Sequence, residues 1–149
     1  MKGYYDDPEL TAEALTEGWY NTGDMGFFDE DNYLWHAGRF RRFAKIGGEM
    51  ISLVKVENIL EKLLPAGVSC CVVEVSDEKK GSYIVATVSR EVNKTEMLRK
   101  MLKELPIIAL PRQFIVIKEL PMMSTGKIDF RSVTRIVQKI LSTSSPGLK

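Results

Sequence analysis

Apolar residues recur at helical spacing in four segments of the chain, at residues 7–17, 54–64, 95–105 and from 129 onward. Spacing of i, i+3, i+4 and i+7 places such residues on one face of a helix, so each segment is predicted to be an amphipathic helix. Ser52, Asn93 and Asp129 stand just before the last three segments. Short polar side chains of this kind are typical N-caps, and they define the predicted starts of these helices.

Between the helical segments, short runs rich in β-branched and aromatic residues predict strands. They occupy residues 25–28, 33–36, 43–46, 50–53, 69–75, 82–88 and 113–117. The polar run 29–32 joins the first two strands, and Gly47 with Gly48 joins the next two, so each pair is predicted to form a hairpin. The last three strands are predicted to form one core sheet.

The order of elements after residue 42 is β-β-α-β-β-α-β-loop-α, which predicts a small α+β domain. In it a three-stranded core sheet is packed by about three helices, accompanied by a short two-stranded hairpin. The chain before residue 39 carries several large aromatic side chains but too few other residues to enclose them. We therefore expect this first part to be a β-hairpin remnant of a larger domain.

The charge balance and the cysteines exclude several classes of protein. Lys plus Arg number 21 and Asp plus Glu 20 in the 149 residues, so the net charge is +1, which argues against a nucleic-acid binder. No apolar run approaches the length that spans a bilayer, and the N-terminus lacks a signal-peptide core. Cys70 and Cys71 are adjacent in a predicted strand and point to opposite faces, which predicts unbridged thiols in a cytoplasmic protein. With one histidine, no metal site is predicted.

Lys127 is the first candidate for chemistry. It follows Gly126 in a loop between the last strand and the last helix, where the backbone is expected to bend freely and the ammonium to reach a phosphate or carboxylate. The segment is not a Walker loop, because Pro121 replaces the first glycine and Ile128 replaces the Ser or Thr. Taken alone, the pattern favours an exposed turn lysine.

Asp24 is the second candidate, because it follows Thr22 and Gly23 just before the first hairpin. A carboxylate on such a turn can accept hydrogen bonds from two neighbouring hydroxyls, as a ribose diol presents them. A turn-forming aspartate is the simpler interpretation.

A local positive patch follows the first hairpin, formed by Arg39, Arg41, Arg42 and Lys45. It fits either a hinge with an anion-binding surface or a solvated basic strand. Glu49 either lines a channel beside the two glycines or ends the hairpin. His36 has no carboxylate nearby in the sequence and is interpreted as structural.

Three segments together resemble the last third of the AMP-forming acyl ligases: 20–24 (YNTGD), 38–48 (GRFRRFAKIGG) and 121–127 (PMMSTGK). This superfamily includes acyl-CoA synthetases, nonribosomal-peptide adenylation domains and luciferases. Within it, residues 42–57 and 125–130 are most similar to the ligase portion of the bifunctional acyl-[acyl-carrier-protein] synthetase/2-acylglycerophosphoethanolamine acyltransferase.

The resemblance implies a domain organisation. Residues 1–38 would be the tail of the large N-terminal ligase domain, residues 39–42 the hinge, and residues 43–149 a mobile C-terminal lid. The Ser/Thr/Gly-rich phosphate loop and the acyl pocket of complete ligases do not occur in this sequence. We therefore expect a fragment that is not catalytically competent alone, binds no cofactor by itself and needs the N-terminal domain.

The resemblance also implies a two-step reaction in the parent enzyme. A fatty acid attacks the α-phosphate of Mg·ATP to give acyl-AMP, and a phosphopantetheine thiol of acyl carrier protein or coenzyme A then takes the acyl group. Asp24 would hold the ribose hydroxyls, Arg39 would contact the nucleotide, and Lys127 would be the catalytic residue that bridges carboxylate and phosphate. The parent would be cytoplasmic or lie at the cytoplasmic face of the inner membrane.

Domain rotation would connect the two steps. Turning at the hinge residue Arg41 would withdraw Lys127 and present a pantetheine- and carrier-protein-contacting surface, formed by Arg42, Lys45, Gly47, Gly48 and Glu49. Arg41 stands where the superfamily often has Asp, a departure shared by the acyl-carrier-protein type. Met50 and Ser52 replace the Arg and Glu usual in adenylation domains, which disfavours amino-acid activation.

Two other functions stay open from the sequence. A non-catalytic module could dock an acidic carrier protein through Arg41, Arg42 and Lys45. A small α+β binder of single-stranded RNA would rest on the basic patch alone, and the near-zero net charge disfavours it.

Overall fold

A computed structural model of the chain describes residues 1–77 and 81–144. The chain separates into two compact units, with the division between Arg41 and Arg42. Each unit is described by itself below.

The first unit begins with helix α1 (Pro8–Ala14) and two short paired strands, β1 (Leu15–Thr16) and β2 (Trp19–Tyr20). The Asp7 side chain caps α1 by accepting a hydrogen bond from the N–H of Leu10. The helix predicted to reach residue 17 ends at Ala14. Glu17 and Gly18 both have positive φ, at 52° and 82°, and this two-residue turn draws the preceding residues into strand pairing.

The predicted first hairpin is confirmed as strands β3 (Asp24–Phe28) and β4 (Leu34–Arg39), which pair antiparallel. The carboxylate of Asp29 organises the turn between them. It accepts hydrogen bonds from the backbone N–H groups of Asp31 and Tyr33 and from the indole N–H of Trp35. The Trp35 bond contributes most to lowering the pKa of the Asp29 carboxyl.

No side chain of the first unit is buried. Its large aromatic residues lie at the surface, and Trp19 is 82% exposed. The others that are more than half exposed are Tyr5, Phe27, Phe28, Tyr33, Trp35 and Phe40. Apolar side chains gain free energy only when they leave water, so this unit has no hydrophobic core of its own.

The second unit starts with a short 3-10 segment (Phe40–Arg42, shared with the boundary) and the hairpin of strands β5 (Phe43–Ile46) and β6 (Glu49–Ser52). Helix α2 (Leu53–Leu63) follows directly. The Ser52 hydroxyl accepts a hydrogen bond from the N–H of Lys55, so the predicted N-cap is confirmed.

The predicted three-stranded core sheet is confirmed, with strand order β7-β8-β9. Strands β7 (Cys70–Asp77) and β8 (Gly81–Val88) are antiparallel, and β9 (Gln113–Val116) runs parallel to β8. Helix α3 (Lys94–Met101) and a 3-10 turn (Ile107–Ala109) lie between β8 and β9 in sequence, and helix α4 (Phe130–Ser144) ends the described chain. Residues 78–80 of the predicted turn between β7 and β8 lie outside the described residues. The domain is therefore α+β, as the sequence predicts.

The core lies on both faces of this sheet because β7 alternates its side chains. Cys70 and Val72 belong to one cluster with α2 and α3, and Cys71 and Val73 belong to a second cluster with α4. Both cysteines are buried, unbridged thiols, as predicted. Burial raises the pKa of each to about 12, with Glu57 adding a smaller contribution, so both stay protonated and unreactive near neutral pH.

Candidate functional site

The segment before β3 is a tight turn held by its own side chains. Thr22 Oγ1 accepts a hydrogen bond from the N–H of Asp24 at 3.1 Å, and Asn21 Oδ1 accepts one from the N–H of Gly23 at 2.9 Å. Gly23 has a φ of 70°, a conformation that glycine adopts without a steric cost. The turn places Asp24 at the first position of β3, at the surface of the first unit.

Asp24 and Arg39 are partners across the hairpin and form an ion pair. Arg39 Nε lies 2.9 Å from Asp24 Oδ1, and Arg39 Nη1 donates to the carbonyl oxygen of Thr22 at 2.8 Å. Two of the residues predicted to contact a nucleotide are thus held together. A carboxylate has about four acceptor positions on two oxygens, so the pair leaves Asp24 able to accept from a diol.

His36 lies on the same face, which the sequence did not indicate. Its Nε2 is 3.7 Å from Asp24 Oδ1, and its side chain is 68% exposed. Gly26 pairs with His36 while Met25 pairs with Gly38, so Ala37 is an extra residue in β4 and forms a bulge. The bulge shifts the alternation of side chains between the two faces of β4 by one residue. His36 and Arg39, three positions apart, therefore lie on the same face.

The positive patch predicted after the first hairpin is only partly exposed. Arg41 and Lys45 are at the surface, but Arg42 is only 7% exposed. Arg42 Nη2 lies 2.7 Å from Glu57 Oε2, and Nη1 donates to the carbonyl oxygen of Val72 at 3.0 Å. The expectation that Arg42 faces a carrier protein or pantetheine is therefore wrong, because its guanidinium is buried and already bonded.

The glycine hairpin has the turn that its sequence predicts. Gly47 and Gly48 have φ of 58° and 91° and connect the pair Ile46 and Glu49, as in a two-residue turn of the primed class. A Cβ on Gly47 would lie 2.8 Å from the side chain of Ile108, whereas one on Gly48 would meet nothing within 4 Å. Gly48 and Glu49 are exposed, so this tip can meet a ligand from solution.

Lys127 is carried by a loop with well-defined hydrogen bonds, which corrects the expectation of a freely bending backbone. Its carbonyl oxygen accepts from the N–H of Met123 at 2.7 Å, and the Met123 carbonyl accepts from the N–H of Gly126 at 2.9 Å. A further bridge joins Met122 and Ile128. The side chain itself is exposed, and it makes no hydrogen bond or ion pair with residues 1–77 or 81–144.

Asp129 joins this loop to α4. Its N–H donates to the carbonyl of Pro121 at 2.8 Å, and its carboxylate accepts from the hydroxyl of Ser132 at 2.7 Å and from the N–H groups of Arg131 and Ser132. The Ser132 hydroxyl contributes most to lowering the pKa of the Asp129 carboxyl below its usual 3.8, followed by the Ser132 N–H. The predicted N-cap is therefore confirmed.

The structure brings only part of the predicted site together. Asp24 and Arg39 lie in the first unit, and Lys127, Lys45 and Glu49 lie in the second. Within the described residues, no group of three or more His, Cys, Asp or Glu side chains is placed to hold a metal ion. Within the same residues, no helix is both long and apolar enough to span a membrane.

Comparison with known proteins identifies the second unit. Residues 55–127 match the family described as AMP-binding enzyme C-terminal domain. The match begins in α2 and ends at Lys127, so it covers the core sheet and the lysine loop. Over these residues the chain belongs to the AMP-binding enzyme C-terminal domain family of the AMP-forming ligases. The α+β architecture is the fold of that domain.

Individual relatives of this ligase C-terminal domain agree. The chain is 38% identical over 133 residues to the medium-chain fatty-acid–CoA ligase of Escherichia coli, covering 85% of the chain and 23% of the relative. The chain is 31% identical over 132 residues to the fatty acid–[acyl-carrier-protein] ligase ScoC of Streptomyces coeruleorubidus. That alignment covers 86% of the chain and 26% of the relative.

A solved structure extends the likeness to three dimensions. The o-succinylbenzoate CoA synthetase MenE of Bacillus subtilis, in complex with its acyl-adenylate intermediate, superposes with a TM-score of 0.75 at 26% identity. The alignment covers 89% of this chain and 28% of that one. The chain thus spans about a quarter of the length of the proteins it matches.

The Asp129 cap predicts a pH dependence of stability. Because the folded state lowers the pKa of this carboxyl, its contribution is complete above pH 3.8 and is lost as the pH falls through the lower folded value. The Asp129→Asn variant keeps a capping side chain but cannot titrate. We expect the melting temperature of the wild type, relative to this variant, to fall as the pH is lowered from neutral through 3.8 and below. A difference that stays constant over this range would contradict the assignment.

Proposed function

We propose that this chain is the mobile C-terminal domain of an ATP-dependent acyl ligase. The ligase joins a fatty carboxylate to AMP with release of pyrophosphate, and then transfers the acyl group to a phosphopantetheine thiol. The partner of the chain in this proposal is an N-terminal ligase domain, since the proteins it resembles are about four times as long. Mg²⁺ enters this proposal with ATP, on which the family depends.

The exposed ammonium of Lys127 is the observation that carries the proposal. Negative charge concentrates between the attacking carboxylate and the α-phosphate, and a cation placed there in advance stabilises the transition state without reorganising. The loop fixes the lysine backbone through the Met123 and Gly126 hydrogen bonds and leaves the side chain in solvent. Such an arrangement suits a group that approaches a ligand held elsewhere.

Asp24 and Arg39 support the nucleotide role of the first unit. Their ion pair orients the carboxylate and the guanidinium on one surface, where an acceptor for ribose hydroxyls lies beside a cation for phosphate. The turn from Asn21 to Asp24 is held by hydrogen bonds of its own, so the pair is arranged before any ligand binds.

The division of the chain at Arg41 supports a two-step use of the second unit. We place the hinge at this residue, so that the second unit offers Lys127 in adenylation and the Gly48–Glu49 tip in thiol transfer. Domain rotation of this kind lets one catalytic body serve two reactions. Arg41 and Lys45 are exposed cations near the boundary.

We favour coenzyme A over acyl carrier protein as the thiol acceptor. The finer resemblance of residues 42–57 suggests the carrier protein, and one relative is named for that acceptor. However, burial of Arg42 removes one of the three cations proposed to dock an acidic protein, which leaves less charge for that interface. The cytoplasmic location remains part of the proposal, and the two unbridged cysteines support it. Acyltransferase activity is not part of it.

Replacing Lys127 should slow acyl-AMP formation and spare thiol transfer. In an enzyme that contains this chain, we expect Lys127→Ala to slow acyl-AMP formation by about 100-fold or more, because one preplaced charge is lost from the transition state. Thiol transfer from preformed acyl-AMP should stay within about twofold. Lys118→Ala removes another exposed loop lysine and serves as the matched control. Equal loss of both reactions would refute the role of Lys127.

The acceptor is tested with the same enzyme and preformed acyl-AMP. We expect kcat/KM to be at least about tenfold higher for coenzyme A than for phosphopantetheinylated acyl carrier protein. The carrier-protein reaction should also weaken as salt rises, since exposed charges are screened. A higher kcat/KM with the carrier protein would reverse the assignment of the acceptor.

A further inference from the structure

Arg42, the first residue of the second unit, contacts three elements that are distant in sequence. Its guanidinium pairs with Glu57 of α2, donates to the carbonyl of Val72 in β7, and lies 5.2 Å from the ring centroid of Phe130 at the start of α4. An arginine presents several donors in one plane and can stack on an aromatic face at the same time. Arg42 therefore joins the first residues of the second unit to the start of α4, its last helix.

The contact with Val72 fixes Arg42 in place. β7 is an edge strand of the core sheet, so backbone groups on its outer side lack a partner strand. The Val72 carbonyl accepts from Arg42, and the Val72 N–H donates to Glu57 Oε2 at 2.7 Å. The two side chains thus satisfy a fully buried residue in the way that a neighbouring strand would. Movement of Arg42 would leave the buried Val72 carbonyl unpaired.

The contact with Phe130 reaches the lysine loop. Phe130 is three residues beyond Lys127, and its N–H donates to the carbonyl of Ile128 at 3.2 Å. Ile128 bridges to Met122, and the Lys127 carbonyl accepts from Met123. A short series of contacts therefore leads from the boundary residue to the backbone of Lys127.

We propose that Arg42 is a positioning residue for Lys127, acting through Phe130. The guanidinium holds the lysine loop to the residue at which the chain enters the second unit, so that loop and entry point move as one body when the domain rotates. The inference rests on the proposed function of Lys127, whereas the mechanical link can be measured without it.

The chain offers a matched control for this contact. The guanidinium of Arg112 lies 5.3 Å from the ring centroid of Tyr83, nearly the same distance as in the Arg42 and Phe130 pair. Tyr83 is in β8 and Arg112 adjoins β9, so neither lies in the lysine loop, and Tyr83 packs against the same core cluster as Phe130 and thus controls for loss of packing there. Phe130→Leu and Tyr83→Leu each remove an aromatic partner of an arginine and leave an apolar side chain.

Amide hydrogen exchange of the 149-residue chain tests the link. Phe130→Leu should speed exchange of the Met123, Gly126 and Asp129 amides by about tenfold, because one cation–π contact is lost. Exchange of β8 amides should stay within about twofold, which excludes general destabilisation. Tyr83→Leu should leave the three loop amides unchanged. Unchanged loop exchange in Phe130→Leu, or equal acceleration in both variants, would overturn the proposal.

Kinetics in an enzyme that contains the chain give the second readout. Phe130→Leu should lower kcat for acyl-AMP formation by about tenfold with KM for ATP within about twofold, because Lys127 is misplaced rather than removed. If Lys127→Ala slows both reactions equally, the proposed function is refuted, whereas the exchange result for Phe130→Leu still stands. Normal exchange in Phe130→Leu would refute the positioning role alone. Arg42→Lys keeps the charge but has fewer hydrogen-bond donors. Its loop amides should exchange at rates between those of the wild type and Phe130→Leu.

Discussion

The ion pair of buried Arg42 with partly buried Glu57 is the interaction on which the second unit depends at its entry point. Arg42 is 9% and Glu57 23% exposed in their side chains, and each also bonds to the backbone of Val72. Removing one partner of a buried pair costs about 3–5 kcal/mol, since the other charge is left unpaired. The pair selects one arrangement of β5, α2 and β7, and the chain therefore enters the domain at a fixed point.

The second unit combines a fixed backbone with an exposed charge at Lys127. Lys127 has a backbone fixed by short hydrogen bonds and an ammonium in solvent, which is the combination that a cation needs to act on a ligand bound elsewhere. The first unit has the opposite character. It holds an ordered surface pair, Asp24 and Arg39, on a body without buried side chains. Aromatic side chains such as Trp19 and Phe28 expose apolar area at its surface.

Local sequence signals predicted most of the fold. The caps Ser52, Asn93 and Asp129 bond as expected because capping involves residues only two or three positions apart. The glycine hairpin was predictable for the same reason. Helix α1 was predicted too long, because the helical pattern through residue 17 gave no weight to the turn at Glu17 and Gly18.

The errors at the site come from contacts that local patterns do not contain. In the sequence, Arg42 belongs to a run of cations that is predicted to be exposed. In the structure it is buried by contacts with Glu57 and Val72, which are distant in sequence. His36 was interpreted as structural because no carboxylate lies near it in the sequence, and the pairing across the hairpin with its bulge at Ala37 is what brings it to 3.7 Å from Asp24. The loop at Lys127 was expected to bend freely from Gly126 alone, whereas hydrogen bonds from Met123 and Gly126 hold it.

The most direct test of the account is the rate at which an amine-reactive reagent modifies Lys127 in an enzyme that contains this chain. With ATP and a fatty acid bound, the ammonium should be in contact with the ligand, and its modification should slow by about tenfold relative to Lys118 in the same sample. Addition of the thiol acceptor to the acyl-AMP state should restore the original rate, because the proposed rotation would then withdraw the lysine. Modification of Lys127 at one unchanged rate in all three states would contradict the account.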